Sequence, residues 1–90
     1  MLNSFEIAET ISFEKDKQKG KYKHLNEKLE RQVYPQLREN PFWGRNIKKL
    51  KGEFEGIYRY RIGDFRILYM IDKKRVIVFM LNIIDRKDSY

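Results

Sequence analysis

Two arginines one residue apart, Arg59 and Arg61, lie in a run that alternates aromatic with basic side chains, Tyr58-Arg59-Tyr60-Arg61. Successive side chains of a β-strand point to opposite faces, so a strand here puts both guanidiniums on one surface and both phenols on the other. A third arginine, Arg66, follows the turn signal Gly63-Asp64, and a hairpin at that turn returns it to the side of the pair. Arg86 stands two residues past Ile84, where the next apolar run ends. Guanidiniums gathered on one face repel one another unless an anion joins them. Arginine suits phosphate because its planar fork aims several N–H groups at the oxygens together. Upstream, Arg45, Lys48, Lys49 and Lys51 extend the basic surface as candidates for contact with a nucleic-acid backbone. Between Trp43 and Arg66 there are seven basic and three acidic residues (Glu53, Glu55 and Asp64), so +4 of the chain's +7 falls in this stretch. Alternating charge is also the ordinary pattern of a solvated sheet face, and residue type alone leaves both readings open.

The elements that would position these residues follow from periodicity. Phe5 and Ile7 alternate within residues 3–9, as in a short strand. Ser12 is a candidate N-cap for a helix starting near Phe13, but that helix has no apolar side chain from Glu14 to Lys19 and meets Gly20. The next helix is better defined, with Tyr22, Leu25, Leu29, Val33 and Leu37 forming one stripe at three- and four-residue spacing. Pro35 should kink it or end its regular part early, and Asn40-Pro41 closes it. Strands are expected at Ile57–Ile62, Phe65–Ile71 and Arg75–Ile84, joined by turns at Gly63-Asp64 and Asp72-Lys73-Lys74. The last is almost continuously apolar, as befits a central strand. The expected fold is α+β: two N-terminal helices packed on one face of a twisted, mainly antiparallel four-stranded sheet, with the N-terminal strand at an edge.

Composition narrows the classes. Ninety residues make one domain, residues 1–90, and 41% apolar content with 13 aromatic residues supports a single thin core. The absence of cysteine removes disulfides and thiolate metal sites. The N-terminus reads as carrying no secretory signal, and the most apolar stretch, Val76 to Ile84, falls short of the ~20 residues that span a bilayer. A soluble, cytoplasmic protein is expected, without a membrane partner. No His/Asp/Glu group has metal-ligand spacing and no glycine-rich loop could cradle a phosphate, so neither metal nor cofactor is expected. His24 reads as a surface residue, Phe42 and Trp43 as core packing, and Lys15, Lys17, Lys19, Lys21 and Lys23 as a solvated face, with RNA-backbone contact the alternative.

Several segments in order carry a family resemblance: Ser12-Phe13-Glu14-Lys15-Asp16, Glu39-Asn40-Pro41-Phe42, Lys49-Leu50-Lys51-Gly52, Tyr58 through Tyr69, and Arg86-Lys87-Asp88-Ser89-Tyr90. Together they resemble the RelE/ParE superfamily of toxins from type II toxin–antitoxin systems over nearly the whole chain. The RelE branch of that superfamily enters the ribosomal A site and cleaves mRNA by attack of a 2′-hydroxyl on the adjacent phosphate, leaving a 2′,3′-cyclic phosphate and a 5′-hydroxyl. The ParE branch inhibits DNA gyrase and lacks the nuclease set. The resemblance implies an RNA-cleaving toxin whose site comprises Arg59 and Arg61, where the RelE pattern has lysines, with Arg66 on the phosphate, Arg86 at the leaving oxygen and Tyr90 on a base or ribose. Because arginine does not deprotonate in a protein, Asp85 is the candidate base. Implied partners are the ribosome with its mRNA and rRNA and a cognate antitoxin, expected to be acidic. The alternatives are a gyrase inhibitor and a non-catalytic binding module of the same fold.

Overall fold

The computed structural model describes residues 4–85. In chain order they form β1 (Glu6–Glu9), α1 (Ile11–Lys17), a 3-10 turn (Gly20–Tyr22), a long helix α2 (25–39), β2 (Ile47–Lys49), a second 3-10 turn (Gly52–Phe54), β3 (Ile57–Ile62), β4 (Phe65–Asp72) and β5 (Ile77–Asp85). The strands make one five-stranded sheet in the order β1-β5-β4-β3-β2. The last three strands form the expected antiparallel meander, while β1 lies parallel to β5 at one edge and β2 antiparallel to β3 at the other.

Two features of the expected architecture need correction. The sheet has five strands and is mixed, because β2 adds a three-residue edge strand within a lysine-rich segment that lacks any apolar alternation. In place of two comparable helices there is one long helix, preceded by the seven-residue α1. α1 starts two residues before the expected position. Its N-cap is Thr10, whose hydroxyl accepts from Phe13 N–H at 3.2 Å and donates to the Met80 carbonyl at 2.8 Å. The Ser12 hydroxyl instead accepts from the Asn82 amide at 2.8 Å. Within α2 the turn at Leu29–Val33 is widened to π geometry, with Tyr34 N–H bonded to the Leu29 carbonyl. Pro35 has no N–H, and its ring would collide with the carbonyl four residues back; the widened turn just before it relieves both problems. The helix therefore runs through the proline to Glu39.

One face of the sheet meets the helices. Phe13, Leu25, Leu29, Val33 and Leu37 pack with Tyr60, Ile62, Ile67, Tyr69, Val78, Met80 and Ile83 in one buried cluster. Each such side chain contributes about 1.5–3 kcal/mol by leaving water. β1 covers the edge of β5 only as far as Met80. Beyond it, the buried Asp16 carboxylate of α1 accepts the Ile83 N–H at 2.9 Å, so a side chain continues the ladder where the strand stops. Leu50 and Leu68 are also buried but lie outside this cluster.

Candidate nucleic-acid interface

The alternation in β3 sorts its side chains as the sequence predicts. Tyr60 and Ile62 are buried under the helices, with Tyr58 packed beside them, and Arg59 and Arg61 take the second face. The register then fixes their neighbours. Lys48 of β2 lies opposite Arg59, Arg59 opposite Leu68, Arg61 opposite Arg66, and Arg66 opposite Ile84. Directly opposed residues have Cβ atoms about 4.5–5.5 Å apart, so Lys48, Arg59, Arg61 and Arg66 form one patch across three strands. Like charges opposed in this way repel one another unless an anion lies between them.

Burial within the patch is uneven. Arg61 is exposed, whereas Arg59 and Arg66 are half-buried. Arg59 Nε is fully enclosed and has no hydrogen-bond partner, the single such side-chain nitrogen or oxygen found among the described residues. A buried donor left unmet costs about 1–3 kcal/mol. An anionic acceptor reaching Nε would recover that cost and answer the repulsion among the cations.

The remaining candidates fall as follows. Lys49 opposes Tyr58, so its strand parity assigns it to the other face of the edge strand β2, while Arg45 and Lys51 are exposed on either side of that strand. Asp85 does not join the arginines. It opposes Phe65, whose ring meets Tyr22 at 5.2 Å and His24 at 5.7 Å on the helix side. Its carboxylate is bound to Lys21 Nζ at 3.0 Å, a hydrogen bond that raises the lysine's pKa. Arg86 and Tyr90 lie outside the described residues. The paired strand positions of the patch thus carry no carboxylate or imidazole; the nearest acid in sequence is the exposed Asp64 of the β3–β4 turn. What the patch can do chemically is bind phosphate and stabilise negative charge on it.

Two buried tyrosines, Tyr69 and Tyr34, serve the fold. Tyr69 stacks on Tyr58 at 5.5 Å and donates to the Pro41 carbonyl at 2.8 Å, and burial pushes its pKa far upward. Tyr34 donates to Glu9, which also receives Lys17 at 2.9 Å; burial is again the main reason the Tyr34 pKa rises. Three of the five alternating lysines are engaged within the chain, Lys17 with Glu9, Lys19 with Asp16 and Lys21 with Asp85, so local acids offset much of that surface's charge. His24 is exposed. Phe42 is half-buried and packs edge-on against Phe5 and Tyr58, outside the main buried cluster. Trp43 instead is 76% exposed, a feature the reading of Phe42-Trp43 as a core pair missed. Among the described residues no helix is long and apolar enough to cross a membrane.

Comparison with known proteins adds a family. The family model described as the ParE toxin of the type II toxin–antitoxin system parDE matches residues 5–90. No curated protein matches significantly. Among solved structures, the toxin–antitoxin complex RelBE2 from Mycobacterium tuberculosis matches with 26% identity and a TM-score of 0.76, over 92% of this chain and 99% of that one. The archaeal RelE–RelB complex from Pyrococcus horikoshii matches with 22% identity and a TM-score of 0.69, over 96% and 99%. YafQ from Escherichia coli shares the fold with 14% identity and a TM-score of 0.69, over 92% and 94%.

Proposed function

The chain belongs to the ParE toxin family of type II toxin–antitoxin systems, within the RelE/ParE superfamily, and we propose that it acts as a ribosome-dependent mRNA endoribonuclease in the cytoplasm. The observation that carries this reading is the buried, unpartnered Arg59 Nε at the centre of a patch completed by Lys48, Arg61 and Arg66. Such a surface suits an RNA phosphate. In the proposed reaction the 2′-oxygen bonds to phosphorus, the bond from phosphorus to the 5′-oxygen breaks, and the products are a 2′,3′-cyclic phosphate and a 5′-hydroxyl. Arg59, Arg61 and Arg66 lower the barrier by stabilising the charge that builds on the non-bridging oxygens, generally the main source of rate enhancement in such catalysis. Arg86 supports the departing 5′-oxygen, and Tyr90 stacks on a base or bonds the ribose. Asp85 has no part in this scheme, because it is engaged by Lys21 on the helix side. The 2′-hydroxyl loses its proton to water or to groups beyond the described residues, and the leaving 5′-oxygen takes up one proton from water, so the step balances. Arg45, Lys48 and Lys51 add backbone contacts, and the natural antagonist is an acidic antitoxin covering the patch; both RelBE2 and the archaeal RelE are solved as complexes with antitoxins.

A second reading, inhibition of DNA gyrase, is favoured by the description of the family model as ParE and by arginines where the RelE pattern has lysines. The test is to induce the wild type and Arg61→Ala in cells and map mRNA ends on ribosomes. The nuclease reading expects cleavage within codons that disappears in the variant. Growth arrest with DNA damage and intact mRNA would overturn it in favour of the second.

A further inference from the structure

Beside the arginine patch lies a cleft of about 380 Å³, lined by Lys48, Lys49, Leu50, Lys51 and Phe54. It is built by the return of the chain from β2 into β3. Leu50 N–H bonds to the Ile57 carbonyl at 2.9 Å, and between them the 3-10 turn Gly52–Phe54 bulges outward. Gly52 at φ 70° and Gly56 at φ 92° bracket that turn in the left-handed region, where a side chain is strained. The result is an apolar floor rimmed by cations. Leu50 is buried but separate from the main core, and Phe54 is half-buried against the same opening. Three exposed lysines surround them. Glu53 and Glu55, in the same loop, do not line the cleft.

An aromatic ring and an aliphatic floor under a rim that is cationic among the described residues match the two halves of a nucleotide, a flat base and a charged phosphate. Lys48 connects the cleft to the arginines, since it lies directly opposite Arg59. Arg61 follows two residues further along β3, roughly 6.5 Å away. We infer that the cleft is a second nucleotide subsite: it stacks the base of a nucleotide adjacent to the one whose phosphate lies on the arginines, using Phe54, while Lys48 and Lys51 hold that nucleotide's phosphate. Because every base offers a flat face, this subsite adds affinity without demanding sequence. The inference rests on RNA as the ligand and not on cleavage.

The test uses the whole protein and a short 2′-O-methyl RNA, which has no free hydroxyl to attack and so reports binding alone. Affinity is measured by fluorescence anisotropy for the wild type, Phe54→Leu and Phe54→Tyr, each checked for folding by thermal melting. Phe54→Leu weakens binding about 5- to 150-fold, the range that loss of one stacked base corresponds to, and Phe54→Tyr stays near wild type. Scanning a single abasic position along the RNA identifies one site that costs the wild type a similar factor and costs Phe54→Leu nothing further. Equal loss at every abasic position, or no effect of Phe54→Leu on a wild type that binds well, overturns the subsite and leaves the arginine reading standing. Failure of the folded wild type to bind this RNA, both free and in the A site of a ribosome programmed with it, overturns both.

Discussion

The two faces of this sheet are built from the same strands and obey opposite rules. Under the helices, Tyr60, Ile62, Ile67, Tyr69, Val78, Met80 and Ile83 are buried together, and the phenol of Tyr69 has found a carbonyl. On the second face, one residue out of phase, Lys48, Arg59, Arg61 and Arg66 crowd like charges, and Arg59 Nε is buried without an acceptor. The first face is packed and closed; the second, among the described residues, leaves one buried guanidinium nitrogen without an acceptor. If the arginine face binds RNA as proposed, a single period-2 alternation in β3 separates stability from function, and substitutions one residue apart should have unlike consequences.

The comparison breaks most readily at the core. Phe13→Ala should cost about 3–5 kcal/mol and lower the melting temperature by roughly 12 °C or more, as read by thermal denaturation. Arg61→Ala is the mirror case: RNA cleavage should fall about 10²- to 10³-fold while stability moves by no more than about 0.5 kcal/mol. A melting temperature that collapses with activity would erase the division between the faces.

Alkaline titration sharpens it further. Tyr34 and Tyr69 both have pKa values raised in the fold, chiefly by burial. A raised native pKa contributes stability that is intact below the unfolded value, near ~10 for tyrosine, and is lost as pH climbs above it. Unfolding free energy should therefore fall above about pH 10 by up to ~1.4 kcal/mol per pH unit for each residue. Tyr69→Phe should flatten that slope. At neutral pH the same variant loses the bond to Pro41, at a cost of about 1 kcal/mol.

The smallest effect lies at the hairpin between β4 and β5. Val76 adopts φ 59°, a conformation that β-branched residues avoid. Val76→Gly should stabilise the protein by roughly 0.5–1 kcal/mol in chemical denaturation, with RNA cleavage unchanged.

Much of this was readable where local pattern and global structure agree. Tyr58 through Arg61 announced their faces by alternation, Gly63-Asp64 announced the hairpin, and the stripe from Leu25 to Leu37 announced the long helix. What escaped depends on contacts distant in sequence. β1 finds its parallel partner some seventy residues away (Glu6 with Ile77), and no local signal specifies that pairing. β2 is a strand only because β3 lies beside it. Thr10 became the cap in place of Ser12 because its hydroxyl also reaches Met80. Asp85 looked like a neighbour of the arginines because Arg86 follows it; its pairing with Phe65 sends it to the helix side. The unmet Arg59 Nε is a property of enclosure, which a linear pattern does not contain.

The most direct test is an NMR titration of the arginine side chains with 2′-O-methyl RNA, following the Arg59 Nε–H resonance. This signal should shift downfield and exchange more slowly with water as RNA binds, while the Lys17, Lys19 and Lys21 ammonium groups on the helix side stay unperturbed. An Arg59 signal that remains unchanged at saturation, with the helix-side lysines responding instead, would contradict that expectation.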